Sequence, residues 1–260
     1  MVCDAPIVWT KTASTMTPVS GTFVIPSTAT VGTTRMRVSL KYNGTPTACE
    51  TFSFGQVEDY TVVLVAPPSN SIVNIKMFIE GYYDTATHAM LPVKANQGIG
   101  TSTTIVDDIT AELRNSSTLA LVANTNAILN TDGSAIATFA TSLSGSYYLV
   151  IKHRNGIQTW SANPITVGSS PIAYDFTNVI SKAYGSNMIE VESNVWAFIS
   201  GDTNQDESID LEDVSNTSID NDNSAFGVLA TDLNGDGSVD LIDVAILGSN
   251  SDSSIFSNHP

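Results

Sequence analysis

An acidic pattern occurs twice near the carboxyl end of the chain, at residues 202–213 and again at residues 232–243. Both copies place an oxygen-bearing side chain at positions 1, 3, 5, 9 and 12, and an aliphatic residue at position 8. Side chains at alternate positions of a tight turn can converge on one cation, and position 12 can close the site from the first turn of a helix. The repeat therefore restricts residues 200–260 to a pair of loop-and-helix units.

Calcium is the cation that fits this spacing, because it takes roughly six to eight oxygen ligands at about 2.3 to 2.6 Å. Many carboxylates in so short a span also repel one another unless a cation offsets their charge. We expect two calcium ions, bound by side chains and by a backbone carbonyl at position 7. The predicted metal ligands are Asp202, Asn204, Asp206, Ser208, Asp210 and Asp213 in the first loop, and Asp232, Asn234, Asp236, Ser238, Asp240 and Asp243 in the second.

Position 6 of such a loop needs a sharp turn, usually with positive φ, which glycine adopts without strain. Gly237 meets this requirement in the second loop, but Glu207 occupies the position in the first. A non-glycine residue there costs on the order of 1 kcal/mol, so we predict that the first loop is the weaker site. Ile209 and Val239, at position 8, are expected to pair across the two loops. The alternative, an acidic surface loop without an ion, is disfavoured by the repetition.

The repeat resembles the type I dockerins, which pair two such loops and place Asp at position 12. The resemblance covers residues 200–260 and implies a small α domain that holds two calcium ions. In dockerins, loop positions 10 and 11 help to recognise a cohesin partner. The residues at those positions here are Leu211 and Glu212, then Leu241 and Ile242, in place of the small hydroxyl pair common in cellulosomal dockerins. The resemblance therefore implies the calcium-bound fold, and docking to a cohesin-like receptor is an alternative use of it.

Upstream of the repeat, apolar and polar residues alternate in short runs, as they do in half-buried strands. Residues 33–40, 72–79 and 108–114 are such runs, and Asn155-Gly156 after residues 147–153 is a typical hairpin turn. The pattern predicts a mainly β protein, with β-sandwich modules in tandem followed by a small dockerin-like α domain of paired EF-hand-like loops. The predicted domains are residues 1–66, 67–199 and 200–260.

The run Gly55-Gln56-Val57-Glu58-Asp59-Tyr60 resembles the signature of the GEVED domain, and residues 34–38 also fit that family. The resemblance implies a β-rich module, matched by the second half of the family's domain. Such modules occur in large secreted and surface proteins of Bacteroidetes-type bacteria. Glu58 and Asp59 are then either a polar or metal site, or a structural cap near Arg35 or Arg37.

Residues 145–151 resemble the closing strand of transthyretin-like or carboxypeptidase-regulatory-like modules, and we predict an immunoglobulin- or transthyretin-like β-sandwich over residues 67–199. The order of the three modules is similar to the carboxy-terminal region of secreted or surface adhesin-like proteins, and it implies an extracellular or bacterial cell-surface location. We predict a non-catalytic, calcium-stabilised module for structure, adhesion or assembly. The alternatives are a docking module for a cohesin-like receptor and a carbohydrate-binding module.

The formal net charge of -16 makes nucleic acid and anionic membrane surfaces poor partners. No apolar run reaches the roughly 18 to 20 residues that a membrane span requires. The expected partners are calcium, a protein receptor or neighbouring copies of a surface assembly, and a glycan. Cys3 and Cys49 are the only cysteines. They either form a disulfide in an oxidising compartment or are two small apolar residues.

Few features suggest catalysis. The three histidines are too scattered for a zinc site. Glu80 and Asp84 flank two tyrosines in a way that could suggest a glycosidase, but two carboxylates in one loop are more often solvated than catalytic. Aromatic rings could stack on a sugar, although core packing is their commoner use. The aromatic candidates are Tyr82, Tyr83, Trp160 and Trp196.

Overall fold

The computed structural model of this 260-residue chain describes residues 7–12, 18–26, 28–66, 70–140 and 142–260. The chain divides into two compact units, residues 1–67 and residues 68–260. The fold is mainly β, with several sheets and a small helical carboxy-terminal part, as the alternating runs and the acidic repeat predicted.

The first unit is built on a two-stranded antiparallel ribbon. Strands β1 (Gly32–Lys41) and β2 (Gly55–Leu64) pair without interruption along their whole length. Within the described part of this unit no residue is fully buried. Cys49 is disulfide-bonded, whereas Cys3 lies outside the described residues.

The second unit contains the remaining regular elements. Its strands are β3 (Ser71–Lys76), β4 (Tyr83–Asp84), β5 (Ala89–Met90), β6 (Ile105–Asn115), β7 (Leu121–Asn130), β8 (Ser134–Phe139), β9 (Gly145–His153), β10 (Gly156–Trp160), β11 (Ile165–Val167), β12 (Ile172–Asp175), β13 (Ile189–Glu192), β14 (Val195–Ala197), β15 (Ser208–Ile209) and β16 (Ile255–Phe256). Its helices are α1 (Val93–Asn96), α2 (Leu211–Asp222) and α3 (Leu241–Ser251), with short 3-10 turns at Glu80–Tyr82, Ile180–Lys182 and Tyr184–Ser186.

Two sheets of this unit form a β-sandwich. The larger sheet has the order β10-β9-β6-β7, with β11 also paired to β9, and the smaller has the order β12-β3-β8. Only the β12–β3 pair is parallel among these strands. In β3 and β8 every second residue is buried, so one face of the small sheet covers the core. The core between the sheets includes Val73, Ile109, Leu129, Ala137 and Leu149.

The β9–β10 hairpin confirms the predicted turn, displaced by one residue. His153 pairs with Gly156, so the turn residues are Arg154 and Asn155 rather than Asn155 and Gly156. The turn lies where the carboxy-terminal part packs, because Asn155 Nδ2 donates to the backbone oxygen of Asp232 at 3.2 Å. The carboxy-terminal part thereby covers this turn of the sandwich.

The two loop-and-helix units of the carboxy-terminal part are joined reciprocally. Strand β15 of the first loop pairs with β16, which follows the second helix. Ser257 N donates to Glu207 O at 2.8 Å, and Gly227 N, after the first helix, donates to Gly237 O of the second loop at 2.8 Å. Each loop is therefore paired with the segment that follows the helix of the other loop-and-helix unit.

The prediction that Ile209 and Val239 pair across the two loops is wrong. Ile209 lies opposite Ile255 of β16, and Val239 N donates to Ala225 O at 2.8 Å. The backbone partner of each loop is therefore the segment that leaves the opposite helix, and not the other loop.

The sandwich and the carboxy-terminal part share a small apolar core. Ile157 and Ile199 of the sandwich pack with Ile209, Leu233 and Leu247, and all five are buried. Because neither part covers these side chains alone, residues 68–260 form one unit. None of the helices in the described residues combines the length and the apolar character needed to span a membrane.

Leu247→Ala should lower the free energy of unfolding of this unit by about 2–4 kcal/mol, because it removes a fully buried side chain from the shared core. Leu241→Ala on the same helix is the matched control, since Leu241 is 73% exposed and should change stability by less than about 0.5 kcal/mol. Denaturant titrations followed by tryptophan fluorescence would measure both. Equal effects of the two substitutions would contradict the shared core.

Candidate functional site

The predicted ligands at positions 3 and 5 organise the first loop. Asn204 Oδ1 accepts a hydrogen bond from Asp206 N at 3.0 Å, and Asp206 Oδ1 accepts one from Ser208 N at 3.0 Å. Asn204 Nδ2 also donates to Asp206 Oδ2 at 3.0 Å. Such local side-chain bonds wind the backbone and bring these two side chains together.

The second loop repeats this arrangement. Asn234 Oδ1 accepts from Asp236 N at 2.9 Å, Asp236 Oδ1 accepts from Ser238 N at 2.8 Å, and Asn234 Nδ2 donates to Asp236 Oδ2 at 2.8 Å. The two loops therefore share one local conformation at positions 3 to 7.

Positions 9 and 12 form a capping box at the start of each helix. Asp210 Oδ1 accepts from Glu212 N at 2.8 Å, and Asp213 Oδ2 accepts from Asp210 N at 3.0 Å. Asp240 and Asp243 do the same for α3. These carboxylates thus satisfy free N–H groups of a helix end in addition to their predicted ligand role. The spacing Asp-x-x-Asp ahead of the helix is the sequence signal for this.

The position 12 carboxylates also fasten the start of each loop. One oxygen of Asp213 and one of Asp243 accept from the backbone N–H groups of loop positions 2 and 3, at 2.7 to 3.2 Å. Both side chains are fully buried. A change at either position would therefore disturb the loop and the helix together.

The position 1 carboxylates are buried at the centre of each loop. Burial, together with the nearby charge of Asp213, raises the pKa of Asp202 to about 7. Burial also raises the pKa of Asp232 and of Asp243. A carboxyl group with a raised pKa contributes less stability once the pH rises through that pKa and the group ionises. A cation bound beside it would offset this charge.

The donor atoms present fit calcium. In the part of the chain that the structure describes, no group of three or more His, Cys, Asp or Glu side chains is arranged to hold a metal ion. By its position in the loop, a calcium ion would use the amide oxygen of Asn204 or Asn234 and the backbone carbonyl of Ser208 or Ser238 as well as carboxylates. Residues 200–260 contain no Lys or Arg to neutralise the loop carboxylates. An oxygen-only donor set of this kind suits calcium.

Position 6 has positive φ in both loops, as predicted: 74° at Glu207 and 94° at Gly237. Position 4 also has positive φ, 61° at Gln205 and 73° at Gly235, which the sequence reasoning did not foresee. The first loop therefore holds two non-glycine residues in the left-handed region, and the second holds glycine at both positions. The strain expected in the first loop is about twice that inferred from Glu207 alone.

Several apolar residues of the two helices are exposed. Leu211 is 79% exposed, Leu241 73% and Ile242 55%, and Ile219 of α2 is also 55% exposed. Leu211, Ile219, Leu241 and Ile242 are hereafter called the exposed helix residues. They include the apolar residues at positions 10 and 11 of both loops, and they take no part in the shared core.

The aromatic candidates do not form a sugar-stacking platform. Tyr82 and Trp160 are buried, and Trp196 is partly buried against the main core. Tyr83 is partly buried and donates its hydroxyl to Glu192 Oε2 at 2.8 Å. These rings serve packing, which was the commoner use of the two considered.

Glu80 and Asp84 have separate structural partners. Glu80 Oε2 accepts from Ser200 N at 3.0 Å and from Asn250 Nδ2 at 2.7 Å, which ties the sandwich to α3. Asp84 Oδ1 accepts from Ala86 N at 2.9 Å within its own turn. The two carboxylates do not act on a common site.

In the first unit, Asp59 acts as a structural cap. Both of its oxygens accept hydrogen bonds from the Arg37 guanidinium at 2.7 Å, and this contact lowers the pKa of Asp59. Arg37 Nη1 also donates to Ala48 O at 3.0 Å. The bidentate pair joins the two strands of the ribbon to the segment between them.

This ribbon carries the residues of a known family signature. A family model of the GEVED domain matches residues 4–63. The GEVED match thus begins well before the signature at residues 55–60.

Two solved structures are similar to part of this chain. One is a C-terminal interface mutant of a type II cohesin–X-dockerin complex from Acetivibrio cellulolyticus, with a TM-score of 0.41 and 18% identity, over 70% of this chain and 99% of that chain. The other is an N-terminal interface mutant of the same complex, with a TM-score of 0.41 and 17% identity, over 73% of this chain and 96% of that one. A likeness of this size assigns no partner. No curated protein matches the sequence.

Glu207→Gly should raise the free energy of unfolding by up to about 1 kcal/mol, because it removes backbone strain at positive φ. Glu207→Ala is the control, since it removes the carboxylate but keeps a Cβ at the strained position. Thermal melts of both variants in a chelator would measure the difference. Equal melting temperatures for the two variants would show that charge, and not backbone strain, limits the first loop.

Proposed function

We propose that residues 200–260 form a calcium-dependent protein-docking module, in which the two loops bind calcium and the exposed helix residues contact a cohesin-like receptor. The module is non-catalytic and acts in an extracellular or bacterial cell-surface setting, in adhesion or assembly.

The observation that carries the calcium assignment is the repetition of one hydrogen-bonded loop. The same three side-chain contacts link positions 3, 5 and 7 in both loops, and the same capping box closes both. An acidic surface loop without a ligand has no reason to reproduce this arrangement at a second place in the chain. Calcium would stabilise the folded state by mass action, since the unfolded loops bind it poorly.

The exposed helix residues support docking over a purely structural role. A structural end module would bury its apolar helix residues against the sandwich. Leu211 and Leu241 are instead more than 70% exposed, although the sandwich packs against the second loop and the other side of α3. Apolar side chains at positions 10 and 11 are also where the dockerin resemblance places receptor contacts. Burying them against a partner would supply the affinity.

The disulfide supports an extracellular setting. Cys49 is disulfide-bonded, and such bonds persist mainly in oxidising compartments. Extracellular loops with dissociation constants of about 10⁻⁴ to 10⁻³ M are still filled by ambient calcium. The match of residues 4–63 to the GEVED model agrees with this setting.

Calorimetric titration of the calcium-depleted chain should show two binding events and a rise in melting temperature. Asp206→Ala should remove the first event and Asp236→Ala the second, because each substitution deletes the exposed position 5 carboxylate of one loop. Glu212→Ala, an exposed acidic residue outside the predicted ligands, should leave both events unchanged. The absence of any calcium binding by the unmodified chain would end the calcium assignment.

Purified type I and type II cohesin modules, immobilised and presented with this chain, test the docking assignment. We expect binding in calcium and none in chelator. Leu241→Asp and Ile242→Asp should each weaken binding at least about tenfold, because they put a charge at the centre of an apolar contact. Ser253→Asp, at an exposed position just beyond the end of the same helix, is the control. If no cohesin module binds in calcium, or if both aspartate variants bind normally, the assignment is wrong.

A further inference from the structure

The second loop is bonded to the sandwich through its position 1 carboxylate. Gln97, just after α1, donates from Nε2 to Asp232 Oδ2 at 2.7 Å, and Gly237 N donates to the same oxygen at 3.0 Å. Gln97 is 8% exposed and Asp232 is completely buried. A side chain of the sandwich therefore helps to fix the orientation of a predicted calcium ligand.

Gln97 is itself held in place. Arg154 Nη2 donates to Gln97 Oε1 at 3.0 Å and to Tyr82 OH at 3.0 Å. Arg154 Nε donates to Asp107 Oδ2 at 2.7 Å, and His153 Nε2 lies 3.1 Å from the same oxygen. The amide of Gln97 is thus oriented: its oxygen faces a guanidinium, so its NH₂ group faces Asp232.

The backbone of the second loop is also held by the sandwich. Asn155 Nδ2 donates to Asp232 O at 3.2 Å, and Asn96 Nδ2 donates to Gly235 O at 2.9 Å. Arg154 also donates to the backbone oxygen of Leu229, just ahead of the loop. The main chain at positions 1 and 4 is therefore fixed from outside the loop.

Close contact with the sandwich explains both glycines of the second loop. A Cβ at Gly235 would lie 2.5 Å from Val93 Cγ2, and one at Gly237 would lie 2.7 Å from Asn96 O. Glycine is required there by the neighbouring sandwich as well as by the positive φ.

The first loop lacks this support. Its position 1 carboxylate, on Asp202, accepts from the backbone N–H groups of Asp206 and Glu207. Among the described residues, no sandwich side chain donates to that carboxylate. Gln205 and Glu207, which replace the two glycines, are exposed. The two loops have equivalent predicted ligands, but they differ in the contacts that hold the loop in place.

We propose that the β-sandwich sets the calcium affinity of the second loop, with Gln97 as a positioning residue that holds Asp232 in its ligating orientation. The inference rests on the proposed calcium function. A carboxylate oriented before the ion arrives loses less freedom on binding, and partners of this outer kind commonly change metal affinity by about tenfold or more when removed. The second loop is therefore the tighter site, for a reason located outside the acidic repeat.

The test compares Gln97→Met in two backgrounds that each retain one loop. Methionine keeps the length and volume of the side chain but removes the donor. In the Asp206→Ala background, which retains the second loop, Gln97→Met should raise the calcium dissociation constant about tenfold. In the Asp236→Ala background, which retains the first loop, the constant should change less than about twofold. Calorimetric calcium titration gives both values.

A second variant and a second measurement separate positioning from general damage. Arg154→Lys keeps the positive charge but loses the planar group that orients Gln97, and it should weaken the second loop selectively as well. Hydrogen exchange at the Gly235 and Gly237 amides should be faster in calcium-free Gln97→Met than in the unmodified chain. General unfolding would instead speed exchange throughout the sandwich.

The outcomes distinguish a failure of this inference from a failure of the proposed calcium function. Equal weakening of both loops, or none in the Asp206→Ala background, overturns the role of Gln97 while the calcium function stands. An unmodified chain that binds no calcium overturns both.

Discussion

The pairing of Arg154 with Asp107 is the contact on which the arrangement of the second unit depends. Residues 200–260 carry about half of the 26 acidic residues of the chain and no Lys or Arg, so a positively charged side chain that bonds to this segment must come from elsewhere in the chain. Arg154, in the turn of the β9–β10 hairpin, supplies it and donates to a backbone oxygen of that segment. Burial by itself would raise the pKa of Asp107, but His153 and Arg154 outweigh it and lower that pKa well below its usual range. The partly buried arginine is thereby paired with a carboxylate and bonded to three further oxygen acceptors, which makes its burial tolerable.

This contact gives the proposed docking module a fixed orientation. A small calcium-bound domain on a flexible linker would have to lose rotational freedom when a receptor binds it. Here the second loop is bonded to the sandwich by polar contacts, and both loop-and-helix units pack on it through the core around Leu247. The exposed helix residues are therefore presented by one unit of the size of a normal domain. Less freedom is lost on binding, which favours affinity without any additional contact.

The acidic repeat was sufficient to predict the loops, the helices that follow them and the positive φ at Glu207, because these depend on residues close in sequence. The alternating runs likewise predicted β6, β9 and the hairpin after it. Local patterns could not predict which segment pairs with each loop, and the expected pairing of Ile209 with Val239 was wrong for that reason. Nor could they indicate that Gln97 reaches Asp232, because that contact joins residues far apart in the sequence and is made only once the sandwich has folded. The sequence explained Gly237 by its turn alone and left Gly235 unexplained, because the contact of both glycines with the sandwich was not visible.

The reciprocal pairing of the two loops has a consequence for the order in which the sites are completed. The second loop is closed by residues 225–227, which precede it in the chain, whereas the first is closed by residues 255–257, which come last. A chain that emerges from the ribosome or from an export channel amino end first therefore carries everything the second loop needs before the first loop has its closing strand. The loop written first in the sequence is the last to acquire its structure, and proteolytic cleavage between α3 and β16 would remove its closing strand while leaving the other loop intact.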